Sequence, residues 1–176
     1  HVVFLRYSHC ALEPSLDLSR KVVRAIRQYK PEVVLCGDPE GWFYGSNYIN
    51  HPDHRAAAIV ALESVFPRAE MELFWPEEGA VHKVHAVYSH GGKKSDTAID
   101  IAATLDKKAA ALKLHRSQMG DWDPTEMITQ WAQEEAKVFR KRAKKAGQKA
   151  KADDGGKLKY AEAFRVMTLI DQPQES

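Results

Sequence analysis

The chain has 176 residues, of which 44% are hydrophobic and 28% charged, which is enough apolar material for one soluble domain with a substantial core. Its 26 Lys and Arg residues against 24 Asp and Glu leave a formal net charge of +2, which argues against nucleic acid or an anionic membrane as a partner attracted by bulk charge. No apolar run approaches the roughly 18 residues of a membrane helix, and no signal segment opens the chain. We expect a single domain over residues 1–176 in a cytoplasmic protein.

The first elements predict strands that alternate with helices. Residues 2–5 have the apolar, β-branched pattern of a short buried strand, and because the chain enters it directly from His1, it resembles a strand cut from something longer. Apolar residues then recur at helical spacing over 16–29, before Pro31, and residues 33–36 follow as a second buried strand. Consecutive apolar positions in the strands favour an α/β fold with a mainly parallel sheet.

A Gly- and aromatic-rich loop over 37–50 follows the second strand at its carboxyl end, where ligands bind in open α/β sheets. A helix is predicted to begin at Pro52, with Asn50 or His51 as its cap, and to continue to Val65. The loop's aromatic residues could either stack on a sugar ring or pack the loop itself: Trp42, Tyr44 and Tyr48.

The second half of the chain predicts further strands and two long helices. The strands cover 71–75, 84–88, 98–101 and 160–170, and the helices cover 105–119 and 125–146. The second of these helices presents one apolar stripe formed by Trp131, Val138 and Phe139. The basic residues over 137–151 suit a solvated helix end, where cations complement the helix dipole, or else a patch for nucleic acid or an acidic partner.

The two cysteines do not have the spacing of a metal motif. Cys10 and Cys36 lie 26 residues apart, and Cys36 falls in an apolar run. We therefore interpret Cys36 as a small buried hydrophobic residue.

Two histidines mark the start of the helix predicted from Pro52. The three-residue spacing of His51 and His54 puts both imidazoles on one side, with Asp53 between them able to orient a ring nitrogen. A catalytic zinc needs three protein ligands and an open position for water, so the pair is half of a metal site or simply two surface residues at a helix cap. Its location after the loop favours the metal site.

The segment Asn50-His51-Pro52-Asp53-His54-Arg55 resembles the second signature of the PIG-L/LmbE-like zinc-dependent N-deacetylases. Other segments resemble further blocks of that family in the same order, over 12–17, 23–27, 31–35, 82–84 with 87–88, 100–101, 107–112, 115–118 and 160–165. The resemblance implies a Rossmann-like three-layer sandwich with a mainly parallel sheet. It also implies a zinc-bound water that attacks the amide carbonyl of an N-acetyl group, commonly on an N-acetylglucosamine conjugate.

The resemblance carries roles to individual residues. His54 is expected to be a zinc ligand, His51 to stabilise the oxyanion or protonate the leaving amine, and Asp53 to hold that histidine. His9 stands where the family more often has the aspartate of a Pro-Asp-Gly-like turn, so it either faces the substrate or is a loop residue without ligand contact. The residues expected to bind substrate are His9, Tyr48 and Asn50.

The family's first signature, an Ala-His-Pro-Asp-Asp segment, has no match in the chain. That segment contributes a histidine ligand, an aspartate ligand and the aspartate general base, and Asp153-Asp154 lacks the preceding His-Pro. We therefore expect the C-terminal part of such an enzyme, without the first strand or strands, with an unpaired sheet edge and without activity by itself. The alternatives are a non-catalytic remnant of the same fold that binds a sugar, and a protein that interacts through its basic tail. We also expect a homo-oligomer.

Overall fold

The computed structural model describes residues 1–147, 149, 151 and 155–170. They form two compact units. Unit 1 contains His1–Ser95 and the described residues from Arg165 onward, and unit 2 contains Asp96–Phe164. No helix in these ranges is both long enough and apolar enough to cross a bilayer.

In unit 1, helix α1, Leu16–Tyr29, confirms the first predicted helix. The Ser15 hydroxyl caps it by accepting a hydrogen bond from the Leu18 amide at 3.2 Å. Lys30 ends the helix in the left-handed region, with φ 47°. The apolar residues that the helix buries are Leu18, Val23 and Ile26.

Strand β1, Val33–Gly37, confirms the second predicted strand. Three elements follow it in the chain: the hairpin strands β2, Phe43–Tyr44, and β3, Tyr48–Ile49, and then helix α2, Pro52–Glu63. Helix α2 ends before the predicted Val65, because residues 64–68 widen into a π-helical turn in which Phe66 is extended. The core of unit 1 consists of Ile26, Cys36, Val65, Ala69, Val84 and Val87.

Strand β1 pairs in parallel with β4, Ala86–His90, which begins two residues later than predicted. Within unit 1 the strand order is β1, β4, β6, where β6 is Ala161–Thr168 and contributes its residues from Arg165. The core covers the face of β1 that carries Val34 and Cys36. Val33 and Leu35, on the other face, are 42% and 65% exposed, so β1 is less buried than its sequence predicts.

The prediction of a buried strand over 2–5 is wrong. These residues have no strand conformation, and Val2, Val3 and Phe4 are 78%, 53% and 70% exposed. A strand needs the hydrogen-bond ladder of a partner, and no described strand provides one there. The segment instead lies along α1, where the rings of His1 and Tyr29 stack with centroids 5.8 Å apart.

The strand predicted over 71–75 is also wrong, because a side chain takes the carbonyl groups that a partner strand would need. Residues 70–75 form turns and bends, and the short 3₁₀ helix Pro76–Glu78 follows them. Arg27 projects from α1 into this segment and is only 3% exposed. Its guanidinium donates to the carbonyl oxygens of Trp75 at 2.7 Å, Met71 at 2.9 Å, Arg68 at 3.0 Å, and Ala69 and Gly79 at 3.3 Å.

In unit 2, strand β5, Thr97–Asp100, pairs antiparallel with residues 161–164 of β6. Both strands were predicted, and their pairing differs in direction from that of β1 and β4, which are parallel, so the strands are not all parallel. The predicted helix over 105–119 is divided into α3, Leu105–Lys113, and α4, Arg116–Met119.

Helix α5, Thr125–Lys145, confirms the last predicted helix, but the predicted apolar stripe is only partly buried. Trp131 and Val138 are 57% and 42% exposed, whereas Phe139 is partly buried against the apolar cluster of unit 2. The buried positions are four residues apart and mostly small, which lets the helix pack closely: Ile128, Ala132 and Ala136. The last turn carries Arg142, Lys144 and Lys145, whose charges suit a helix C-terminus. Asp153 and Asp154 lie outside the described residues.

Candidate functional site

The start of helix α2 lies at the carboxyl end of strand β1. A Cβ atom on Gly37, the last residue of β1, would lie 3.9 Å from the carbonyl oxygen of His54 and 3.7 Å from the Cβ of Ala58. His51 caps α2, because its ring nitrogen Nδ1 accepts a hydrogen bond from the Asp53 amide at 3.1 Å. The predicted helix start and one of its two predicted caps are therefore confirmed.

The Asp53 carboxylate binds the backbone of the loop over residues 8–12. Its Oδ2 accepts from the Cys10 amide at 2.7 Å and its Oδ1 from the Leu12 amide at 3.2 Å. Partial burial raises the pKa of Asp53, but the two amide hydrogen bonds, and then the charges of His51 and His9, lower the pKa by more, so that it lies below 3.8. The carboxylate is therefore ionised at neutral pH, and it lies 4.0 Å from Nδ1 of His51.

The loop held by Asp53 brings His9 and Cys10 against His51. The rings of His9 and His51 stack with centroids 5.1 Å apart. The Sγ atom of Cys10 lies 3.3 Å from Nδ1 of His9 and 3.4 Å from Nε2 of His51. Among the described residues, His9, Cys10 and His51 form the group of three potential metal ligands whose ligand atoms lie within 4.8 Å of one another. Sequence reasoning missed Cys10, because it is 41 residues from His51 and the spacing gives no signal.

His54, the predicted zinc ligand, lies at the exposed rim of this cluster. Its ring is tilted against His51 with centroids 5.3 Å apart, and it is not a member of the three-ligand group. A catalytic zinc takes three protein ligands. The resemblance assigns His51 as the acid, so among the described residues His54 is the one zinc ligand that it assigns. One ligand does not by itself make a zinc site.

Two residues predicted to bind substrate hold or line the loop between β1 and α2. Asn50 is 5% exposed, and its side-chain amide donates to the carbonyl oxygen of Gly41 at 2.7 Å. Tyr48 is 51% exposed and lies in the β2–β3 hairpin, with its ring 6.1 Å from that of Tyr44.

The guanidinium carbon of Arg55 lies 3.9 Å from the centre of the Trp42 ring. These contacts favour loop packing as the role of Trp42 and Tyr44.

A cavity of about 360 Å³ adjoins the carboxyl ends of β1 and β4, and the sequence reasoning did not identify it. Asp38 and Ser89 line it among mainly apolar side chains, and none of His9, His51 or His54 does. Asp38 is 5% exposed, and burial together with this carboxylate raises the pKa of the Cys36 thiol to about 11. The one sequence signal for Asp38 is its position directly after β1.

Comparison with known proteins gives relatives in sequence and in fold, although no family model matches the chain. The chain is 26% identical to diacetylchitobiose deacetylase from Thermococcus kodakarensis over 132 residues, which cover 68% of this chain and 46% of the relative. The chain thus spans about half the length of that curated relative.

Two solved structures share the mixed α/β fold. The first is N,N'-diacetylchitobiose deacetylase from Pyrococcus horikoshii in complex with its inhibitor MPG, with a TM-score of 0.66, 22% identity, and coverage of 93% of this chain and 56% of that one. The second is the conserved protein TT1542 from Thermus thermophilus, with a TM-score of 0.61, 20% identity, and coverage of 98% and 68%. The chain is therefore similar in sequence, at modest identity, to a diacetylchitobiose deacetylase and in fold to a second such enzyme, which supports the resemblance to the deacetylase family.

Proposed function

We propose that the protein containing this chain hydrolyses the N-acetyl amide of an N-acetylglucosamine-type conjugate, or of a related small N-acylated substrate, and depends on Zn²⁺. The observation that carries the proposal is the Asn50 to Arg55 segment at the carboxyl end of β1, in a chain similar to a diacetylchitobiose deacetylase. In this proposal residues 1–176 form part of a single domain with the Rossmann-like three-layer architecture of the family.

Within this site we assign His51 as the residue that holds a proton for the leaving amine or stabilises the oxyanion. The cap bond to the Asp53 amide occupies Nδ1, so Nε2 is the ring nitrogen that can face a substrate. The ionised carboxylate of Asp53 lies 4.0 Å from Nδ1 of His51, and we assign Asp53 to hold this ring. His9, Tyr48 and Asn50 are assigned to substrate binding, either directly or, for Asn50, through the loop that it orders.

We assign His54 as one zinc ligand. Because a single histidine holds zinc weakly, we propose that residues 1–176 alone are inactive and that another segment provides the ligands of the Ala-His-Pro-Asp-Asp signature. We further propose that the protein is cytoplasmic and acts as a homo-oligomer.

Release of acetate from diacetylchitobiose by the full-length protein, with and without added Zn²⁺, tests this function. We expect zinc-dependent release that His54→Ala abolishes and His51→Ala slows about 100-fold or more. His115→Ala is the matched control, because His115 is an exposed histidine in unit 2. A full-length protein that holds no zinc and releases no acetate when zinc is added would leave the non-catalytic sugar-binding protein as the better explanation.

A further inference from the structure

We propose that His9, Cys10 and His51 form a binding site for Zn²⁺, with the Cys10 thiolate as one of three protein ligands. The site differs from the zinc assigned to His54 in both its residues and its ligand chemistry. It does not rest on deacetylation, because it depends only on the positions of three side chains. Occupancy of the site would engage Nε2 of His51, the nitrogen that the deacetylase proposal needs free.

The distances from the Cys10 sulfur match those around a small metal ion, and the three ligand atoms all lie within 4.8 Å of one another. Zinc binds thiolate sulfur at about 2.3 Å and imidazole nitrogen at about 2.0–2.1 Å, so tetrahedral geometry separates the two ligand atoms by about 3.6 Å. Sγ of Cys10 lies 3.4 Å from Nε2 of His51, and 3.3 Å and 3.8 Å from the two ring nitrogens of His9. One thiolate with two imidazoles is a ligand set that suits zinc, and it leaves a fourth position for water.

The backbone of the loop explains how two consecutive residues reach one ion. Consecutive side chains of an extended chain point to opposite sides, but Cys10 has a φ of 64°, in the left-handed region that non-glycine residues seldom adopt. The turn at Cys10 brings its sulfur to the same side as the His9 ring. Asp53 holds this conformation by accepting the amide hydrogens of Cys10 and Leu12.

Asp53 also provides the hydrogen-bond partner that a metal-bound histidine needs. Coordination through Nε2 of His51 places the ring proton on Nδ1, which here accepts the bond from the Asp53 amide. Oδ2 of Asp53 lies 4.0 Å from Nδ1, so a small rotation of the ring replaces that bond with one from Nδ1–H to the carboxylate. His9 and Cys10 are exposed, which gives a metal ion access from solvent.

Titration of the metal-free, full-length protein with Co²⁺, used as a spectroscopic substitute for Zn²⁺, tests the site. A thiolate bound to Co²⁺ gives a charge-transfer absorption in the near ultraviolet, which histidine and carboxylate ligands do not give. We expect this band in the wild type and in Cys36→Ser, and its loss in Cys10→Ser. Asp53→Asn should weaken zinc binding by about 10- to 100-fold in competition with a chelating dye.

Alkylation of the wild type gives a second readout that does not require a folded variant. Saturating Zn²⁺ should slow the modification of Cys10 by iodoacetamide at least about tenfold, as expected for a coordinated thiolate. The proposal is overturned by a wild type that gives no band, by a band that persists in Cys10→Ser, or by alkylation that zinc leaves unchanged. A band in the wild type, with no acetate release from Cys10→Ser, in which Nε2 of His51 stays free, contradicts only the deacetylase proposal. Acetate release without a band contradicts only this one.

Discussion

Replacement of Arg27 by alanine should destabilise the protein by about 3–5 kcal/mol, because it removes the donor that five backbone carbonyl oxygens share. The side chain is 3% exposed and donates hydrogen bonds to five carbonyl oxygens of residues 68–79. A hydrogen bond to a charged group contributes about 1.5–3 kcal/mol, but the five share one guanidinium whose desolvation offsets much of the sum. Arg27→Lys keeps the charge with three donors in place of five, so it should lose about half as much.

Urea denaturation followed by tryptophan fluorescence measures these free energies of unfolding. Arg24→Ala is the matched control on the same helix, because Arg24 is exposed and Arg20 continues to pair with its partner Glu78. Its effect should be much smaller. The reasoning is refuted if Arg27→Ala costs less than about 1 kcal/mol, the size of an ordinary surface change, or no more than the control.

Three further outcomes are expected. The free energy of unfolding should decrease as the pH is lowered from 4.5 to about 2. The reason is that hydrogen bonds from Arg24 and Arg20 lower the folded-state pKa of Glu78 from 4.5 to about 2. A carboxyl group with a lowered pKa in the folded state stabilises the protein above its unfolded-state pKa, and this stabilisation is lost as the pH falls through its folded-state pKa. In Glu78→Gln, the free energy of unfolding should therefore depend less on pH in this range, as acid denaturation would measure. In folded, metal-free protein, iodoacetamide should modify the exposed Cys10 quickly and Cys36 slowly, since burial raises the Cys36 pKa to about 11. Peptide mass spectrometry measures the two rates, and equal rates would contradict this. Gly92→Ala should lower the free energy of unfolding by about 1–3 kcal/mol, because the new Cβ would lie 1.8 Å from Oδ2 of Asp38. An unchanged midpoint of urea denaturation would show instead that the carboxylate moves away freely.

The elements predicted correctly from the sequence are those whose signals are local. Helix α1 has a hydroxyl cap, a single apolar face and a proline just beyond its end, and these fix its length without reference to the rest of the chain. Residues 2–5 and 71–75 have strand-like composition, but a strand also needs a partner. In the structure the first segment has none among the described strands, and the second gives the carbonyl groups of Met71 and Trp75 to Arg27.

In the candidate site, too, the features that are local in sequence could be predicted and those that join distant positions could not. His51 as a helix cap, with His54 and Asp53 beside it, follows from six consecutive residues. The contacts of Asp53 with the loop over 8–12, and of Cys10 with His51, join positions more than 40 residues apart, so neither spacing nor composition could indicate them. Periodicity also misjudged α5, because the large residues of a helix give the strongest apolar signal even where small ones make the contact.

The hydrogen bonds between Asp53 and the amides of Cys10 and Leu12 have a consequence for enzymology. Because these bonds lower the carboxyl pKa, Asp53 remains ionised through the neutral and mildly acidic range, and the loop keeps its position there. Imidazole is the side chain whose charge ordinarily changes between pH 5 and 8. A rate profile that bends in that interval would therefore report a histidine or a zinc-bound water in a fixed framework, and it could be interpreted without allowing for movement of the loop.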